Sequence, residues 1–170
     1  AAYALHVLSN LDRGLVTTRA GALMAASDAG FVTVRGRGGH GSSPHLAADP
    51  VPAACEMVLA LQTAMSRTVD TFAPSVLTVG RIAAGTRRNV IPETAEFDAT
   101  VRTIDPAVRA QLAELVPRVC RGVAAAHGVE VDVRYEAEYP VTVNDADEAA
   151  FALDVAAGLF GTSAALRMQN

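Results

Sequence analysis

Apolar and polar positions alternate without a break from Ala95 to Arg102. Ala95, Phe97, Ala99 and Val101 fall on one face, and Glu96, Asp98, Thr100 and Arg102 on the other. This is the period of a half-buried strand, assigned to Thr94–Ile104. Val129, Val131, Val133 and Tyr135 alternate with Glu130, Asp132, Arg134 and Glu136 in the same way and predict another strand. Phe31–Arg35, β-branched and apolar, reads as a strand that runs into glycines. Ser75–Ala83 carries Val76, Leu77, Val79 and Ile82 on both faces. Helical spacing appears twice. Val51, Ala54, Cys55, Val58, Leu61 and Met65 share one face of a helix from about Pro50 to Arg67, started by the Asp49-Pro50 cap. Asp105-Pro106 repeats that device, and the second helix ends at His127-Gly128 with glycine in the stop position. Pro117 lies inside it. Val108, Leu112, Leu115 and Val119 keep the apolar stripe continuous across the proline, so a bend rather than a break is expected.

The element order is β-α-β-β-α-β, which predicts an α+β, ferredoxin-like sandwich: a four-stranded antiparallel sheet with two helices on one face. Arg102 then belongs to the uncovered face. The second strand has almost no charge before Arg81, and an unguarded apolar edge invites pairing with another copy of the chain. Homodimerisation is therefore expected.

The sandwich is assigned to residues 30–140, with different segments on either side, 1–29 and 141–170. The first begins on an apolar run containing His6 and is punctuated by Asn10, Gly14, Gly21 and Gly30, which predicts short strands and turns. Val141–Asn144 reads as a connector and Asp145–Phe160 as a short helix closed by Gly161. The lack of an initiator methionine and of a polar lead-in implies a piece of something larger. No basic region precedes an apolar run, so no signal peptide is expected, and no stretch has the length of a membrane span. Cytoplasm is the default compartment.

Composition narrows the chemistry. Charged residues make up 19% of the chain and hydrophobic ones 51%, enough apolar content for a packed core. The net charge of −4 argues against nucleic acid and anionic membranes as partners. All 14 basic residues are arginine, which excludes a Schiff-base lysine and a Walker-type phosphate loop. Cys55 and Cys120 fall on predicted helices and read as buried free thiols, with a disulfide as the other possibility.

The stretch Gly36–His45, GRGGHGSSPH, carries the densest candidate chemistry. Gly36-Arg37-Gly38-Gly39-His40-Gly41 matches a dinucleotide fingerprint in letters only. That motif needs a helix opening at its third glycine, whereas here Pro44 intervenes and the helix signal waits for Asp49. Glycines around His40 relieve backbone sterics so that an imidazole can be presented at a sharp bend. Ser42 or Ser43 with His40 could make a serine nucleophile, but neither serine has the strand–elbow–helix setting that this chemistry uses.

In order along the chain, Leu5-His6-Val7 with Gly14, GRGGHGSSPH at 36–45, Asp49-Pro50, Leu61-Gln62 with Arg67, Asn89-Val90-Ile91-Pro92, Thr100-Val101-Arg102-Thr103, Tyr139-Pro140 and Asn144-Asp145 resemble the zinc amidohydrolases of peptidase family M20. That family includes aminoacylases, hippurate hydrolases, carboxypeptidase G and auxin-conjugate hydrolases. The resemblance spans essentially the whole chain. It implies a two-domain parent in which residues 30–140 are the inserted lid, or dimerisation, domain and the flanks belong to a catalytic domain. The parent would bind one or two zinc ions and hydrolyse N-acyl amino acids or related amides. This chain would hold no metal by itself and would be inactive alone, since the other ligands and the general base are missing from it.

Carried over residue by residue, the resemblance makes His6 a metal-ligand histidine on a catalytic strand. It makes His40 a lid histidine that reaches the neighbouring subunit's site and stabilises the tetrahedral oxyanion. Asn89 becomes a substrate-binding amide donor, Arg102 the group that holds the substrate's free carboxylate, and His45 a further substrate contact. Each has a plainer reading: His6 a core histidine, His40 and His45 loop-fixing groups, Asn89 a turn residue. Arg102 would then be an ion-pair partner of Glu96 or Asp98, and His127 a favourable charge at a helix end. The competing function is a ferredoxin-like interaction or small-molecule-binding module without chemistry.

Overall fold

The computed structural model describes residues 2–168. In chain order the elements are β1 (Val16–Thr18), β2 (Gly21–Met24), β3 (Ala26–Arg35), β4 (Gly39–His40), α1 (Pro50–Thr68), β5 (Ser75–Ala84), β6 (Val90–Ile91), β7 (Thr94–Thr103), α2 (Pro106–His127), β8 (Glu130–Tyr139), β9 (Thr142–Asn144), α3 (Ala146–Phe160) and β10 (Ala165–Arg167). They form two compact units, one from Ala26 to Pro140 and the other from the residues on either side of it.

In the larger unit an antiparallel sheet takes the order β5-β7-β3-β8, the order of the ferredoxin-like sandwich. Alternation in β7 buries Ala95, Phe97, Ala99 and Val101 against the helices. Val32 and Val34 of β3 join them, with Met57 and Leu61 from α1 and Leu112, Leu115 and Val116 from α2. Each large side chain in this layer contributes about 1.5–3 kcal/mol by leaving water. Both helices start as the sequence dictates. The Asp49 carboxylate accepts from the Val51 N–H at 2.9 Å, and Asp105 accepts from Ala107 at 2.6 Å. Gly128 closes α2 in the left-handed conformation at φ 64°. The helix continues through Pro117.

Three features of this unit differ from expectation. β3 begins at Ala26, not Phe31, because Ser27-Asp28-Ala29-Gly30 reads as a turn but pairs on both sides with β7 and β8. The buried face of α1 is Pro50, Ala53, Ala54, Met57 and Leu61, so the expected stripe is rotated and Cys55 is exposed. Small Ala53 and Ala54, rather than Val51 and Cys55, lie in the core. Cys120 is buried as expected, and both thiols are free. Finally, β5 is an edge strand, as anticipated, but only its Leu77 is buried, and the register shifts between Val79 and Arg81 so that Gly80 forms a bulge. The regular edge is therefore Ser75–Val79.

In the smaller unit β1 pairs in parallel with β10, and β2 pairs antiparallel with β9. The expected connector at Val141–Asn144 is thus largely a strand. Asp145 caps α3 through the N–H groups of Asp147 and Glu148, and Gly161 ends it at φ 91°. The Tyr3 hydroxyl donates to Glu148, and its ring centroid lies 6.5 Å from that of Phe151. The run around His6 forms no strand among the described residues, and His6 is exposed. Among the described residues this segment joins no strand ladder, and its backbone hydrogen bonds are local turns, from Leu11 to the Leu8 carbonyl and from Leu15 to that of Asp12. No helix among the described residues is long and apolar enough to cross a membrane.

Candidate functional site

β3 delivers the chain into the glycine loop, and glycine is obligatory there for a local reason. The Gly36 N–H donates to the Glu93 carbonyl at 2.9 Å, while Arg37 and Ala48 exchange backbone hydrogen bonds at 2.8 and 2.9 Å. A Cβ on Gly36 would sit 2.0 Å from the Ala48 carbonyl oxygen, and one on Gly38 2.9 Å from that of Ile91. This packing sets the short β4–β6 ladder, in which Gly39 faces Ile91 and His40 faces Val90. The Gly41 N–H then donates to the Asn89 carbonyl at 2.9 Å. His40 and Asn89 are thereby held side by side on exposed backbone, and the Pro44–Leu46 turn that carries His45 follows directly.

The His40 ring is oriented by Ser42. Nδ1 lies 2.8 Å from the Ser42 hydroxyl and accepts from the Ser42 backbone N–H at 3.2 Å. An amide N–H can only donate, so Nδ1 carries the lone pair in the neutral ring and the proton sits on Nε2. The ring thus offers an N–H donor on its free side. The serine–histidine contact is a turn between residues two apart, and no carboxylate bonds Nε2 among the described residues. It lacks the third member of a nucleophilic triad.

Arg102 stands elsewhere. The His40 loop adjoins the Thr94 end of β7, and Arg102 is eight residues along that strand, about 26 Å away at the strand rise. Its expected partners are taken. Arg81, brought alongside by β5, bonds Asp98 at 3.2 Å and Glu96 at 3.3 Å. Arg134, also on the open face, bonds Glu136 and lies 4.2 Å above the Phe31 ring. Arg102 instead donates to the Ser27 hydroxyl at 2.6 Å and to the Val101 carbonyl at 3.2 Å, with no acidic partner among the described residues. One copy of this unit therefore brings His40, Asn89 and His45 together and leaves Arg102 apart.

A polar cluster that sequence reading does not single out lies under the helices. Asp28 is 1% exposed, and Arg109 of α2 grips it with Nη2 at 2.5 Å and Nε at 3.0 Å. The Tyr135 hydroxyl adds a bond at 3.0 Å. Burial alone would raise the Asp28 carboxyl, but the bonds from Arg109 and Tyr135 and the Arg109 charge outweigh it and hold the group below its ordinary value. Burial and the Asp28 bond push the Tyr135 hydroxyl upward. The polar Asp28 within an alternating stretch was the available signal, but its partners are 81 and 107 residues away. His127, expected as a helix-end charge, also bonds Glu56 of α1 at 2.6 Å.

The described residues do not build a metal centre: nowhere among them do three His, Cys, Asp or Glu side chains converge. His6 is one exposed imidazole without further ligands. Catalytic metal sites need about three protein ligands.

Comparison with known proteins places these features in context. Residues 25–127 match a family described as a peptidase dimerisation domain. A hippurate hydrolase from Campylobacter jejuni is 40% identical over 83% of this chain and 37% of its own length. An N-acyl-L-amino acid amidohydrolase from Geobacillus stearothermophilus is 37% identical over 82% of this chain and 38% of its own. Among solved structures, a Bacillus subtilis dinuclear metal-binding peptidase of the M20 family superposes with a TM-score of 0.65 at 29% identity, over 91% of this chain and 37% of that one. The chain thus spans less than two-fifths of the length of each.

Proposed function

The chain belongs to the M20 peptidase dimerisation-domain family, and we propose that it is the lid and dimer-forming part of a longer hydrolase that cleaves N-acyl amino acids or similar amides. The observation that carries this reading is the separation of His40 from Arg102. An N-acyl amino acid is about 7 Å long in extended form, far shorter than the distance along β7. Groups that both touch one such substrate must come from two copies of the chain. The regular edge of β5, Ser75–Val79, has Val76 52% exposed and is free to pair with a second copy.

In this reading His40 and Asn89 act in the partner's site. The His40 Nε2–H and the Asn89 side-chain amide are donors held by the β4–β6 ladder, placed to meet the oxygen that becomes negative when the amide carbonyl is attacked. A preorganised donor of this kind is worth about 2.7–4 kcal/mol of transition-state stabilisation. His45, exposed in the following turn, borders the same substrate. Arg102 binds the free carboxylate, for which a guanidinium unpaired with any described acid is suited.

These groups bind, orient and donate protons, and the hydrolytic centre lies in the remainder of the longer protein. The one or two divalent metals, zinc by the family resemblance, do not fit the side chains described here; His6 could supply one ligand at most. We place the protein in a reducing, cytoplasmic setting, where Cys55 and Cys120 stay free thiols.

The test is His40→Ala in the full-length protein. Turnover is expected to fall about 10²–10³-fold, with metal content and dimer mass unchanged. Undiminished turnover would overturn the role given to His40.

A further inference from the structure

The open face of the sheet holds a relay that ends on Arg102. In β8 the register against β3 shifts between Ser27 and Asp28. Tyr139 faces Ser27, Ala137 faces Asp28, and Glu138 is the extra residue of a β-bulge. Alternation along β8 already places Glu138 on the open face with Arg134 and Glu136, and the bulge sets Tyr139 opposite Ser27 next to it. There Glu138 accepts a hydrogen bond from the Ser27 hydroxyl at 2.7 Å. With its proton committed to Glu138, the Ser27 oxygen turns its lone pairs to Arg102, whose Nη1 donates to it at 2.6 Å.

The consequence for Arg102 is directional. Nη1 has two N–H groups, and they go to Ser27 Oγ and to the Val101 carbonyl oxygen. The guanidinium is planar with five donors in a fixed fork, so fixing Nη1 fixes the plane. The Nε and Nη2 edge remains, with parallel N–H groups spaced to match the two oxygens of a carboxylate.

We propose that Ser27 and Glu138 are positioning residues that hold the Arg102 guanidinium with its Nε/Nη2 edge presented to the substrate's carboxylate, restricting the enzyme to acyl-amide substrates that end in a free acid. The proposal rests on the reading of Arg102 given above. Neither residue touches substrate. They act by removing the rotamer freedom that a long exposed arginine would otherwise lose on binding.

The experiment compares N-benzoylglycine with its carboxylate-free twin N-benzoylglycinamide as substrates of the full-length protein. Ser27→Ala and Glu138→Ala are expected to raise KM for the acid about tenfold while kcat stays within about twofold. The amide should show no such rise in KM, and Ser27→Thr should restore the wild-type KM. If acid and amide suffer alike, or if Arg102→Ala raises KM for the acid while Ser27→Ala and Glu138→Ala do not, the positioning role is wrong and the reading of Arg102 survives. If Arg102→Ala itself fails to separate the two substrates, or the wild-type protein turns over neither, the reading of Arg102 falls and this proposal with it.

Discussion

Gly41 donates its backbone N–H to the carbonyl oxygen of Asn89 at 2.9 Å, which ties the loop that presents His40 to the turn that presents Asn89. Neither side chain takes part in this contact, so the two candidate site residues are registered by backbone alone. Backbone registration depends on glycine wherever the strands of the loop approach closely, and Gly36 is the tightest such point.

Gly36→Ala is therefore expected to destabilise the chain by about 1–3 kcal/mol. Its methyl group would collide with the Ala48 carbonyl at 2.0 Å, and that carbonyl is already the acceptor for Arg37. Urea denaturation followed by circular dichroism measures the loss.

Gly122→Ala should do the opposite. Gly122 is exposed in the interior of α2, and nothing lies within 4 Å of the position its Cβ would take. Replacing a helix-interior glycine removes backbone entropy from the unfolded chain, so stability should rise by about 0.8 kcal/mol in the same assay.

Asp28 couples stability to pH. Its folded-state carboxyl lies below its ordinary value, so the unfolded chain takes up protons first as the pH falls. The stabilisation is complete above the unfolded value of about 4 and is lost as the pH drops through the folded one. Asp28→Asn leaves Arg109 without its counter-charge and should cost about 3–5 kcal/mol at neutral pH. The variant's stability should also vary less below pH of about 4 than that of the wild-type chain. Denaturation midpoints across an acid pH series test both parts.

The two thiols should differ sharply in reactivity. Cys55 is exposed, while Cys120 is fully buried and burial pushes its thiol up to about 11. Iodoacetamide on the native chain, read by peptide mass spectrometry, should alkylate Cys55 and spare Cys120 until denaturant is added. Equal labelling of both in the native state would contradict the packing of α2.

What could be read in the sequence was whatever local rules decide. The alternation in β7, the Asp-Pro starts of α1 and α2 and the glycine stop at Gly128 each depend on a few neighbouring residues. The first half of β3 escaped because Ser27-Asp28-Ala29-Gly30 has turn propensity, and what makes it a strand is two flanking strands together with Arg109 and Tyr135 on Asp28. The pairing of Arg102 escaped for a related reason. Glu96 and Asp98 share its face, but Arg81 reaches them first through cross-strand register and a bulge at Gly80. Bulges at Gly80 and Glu138 shift register by one residue, and no periodicity in either strand announces them. The glycine loop marked His40 as a candidate, whereas its distance from Arg102 appears only once β7 is laid beside β3.

That distance can be tested by complementation between two inactive variants of the full-length protein. His40→Ala and Arg102→Ala dimers would be purified separately, mixed, allowed to exchange subunits and assayed on an N-acyl amino acid. If His40 serves the partner's site and Arg102 its own, each mixed dimer regains one intact site, and random exchange should restore about a quarter of the wild-type rate. If both residues serve the same subunit, every site lacks one of them. Activity would then stay at the level of the separate variants however long exchange proceeds, and the assignment of the two residues to different copies would be wrong.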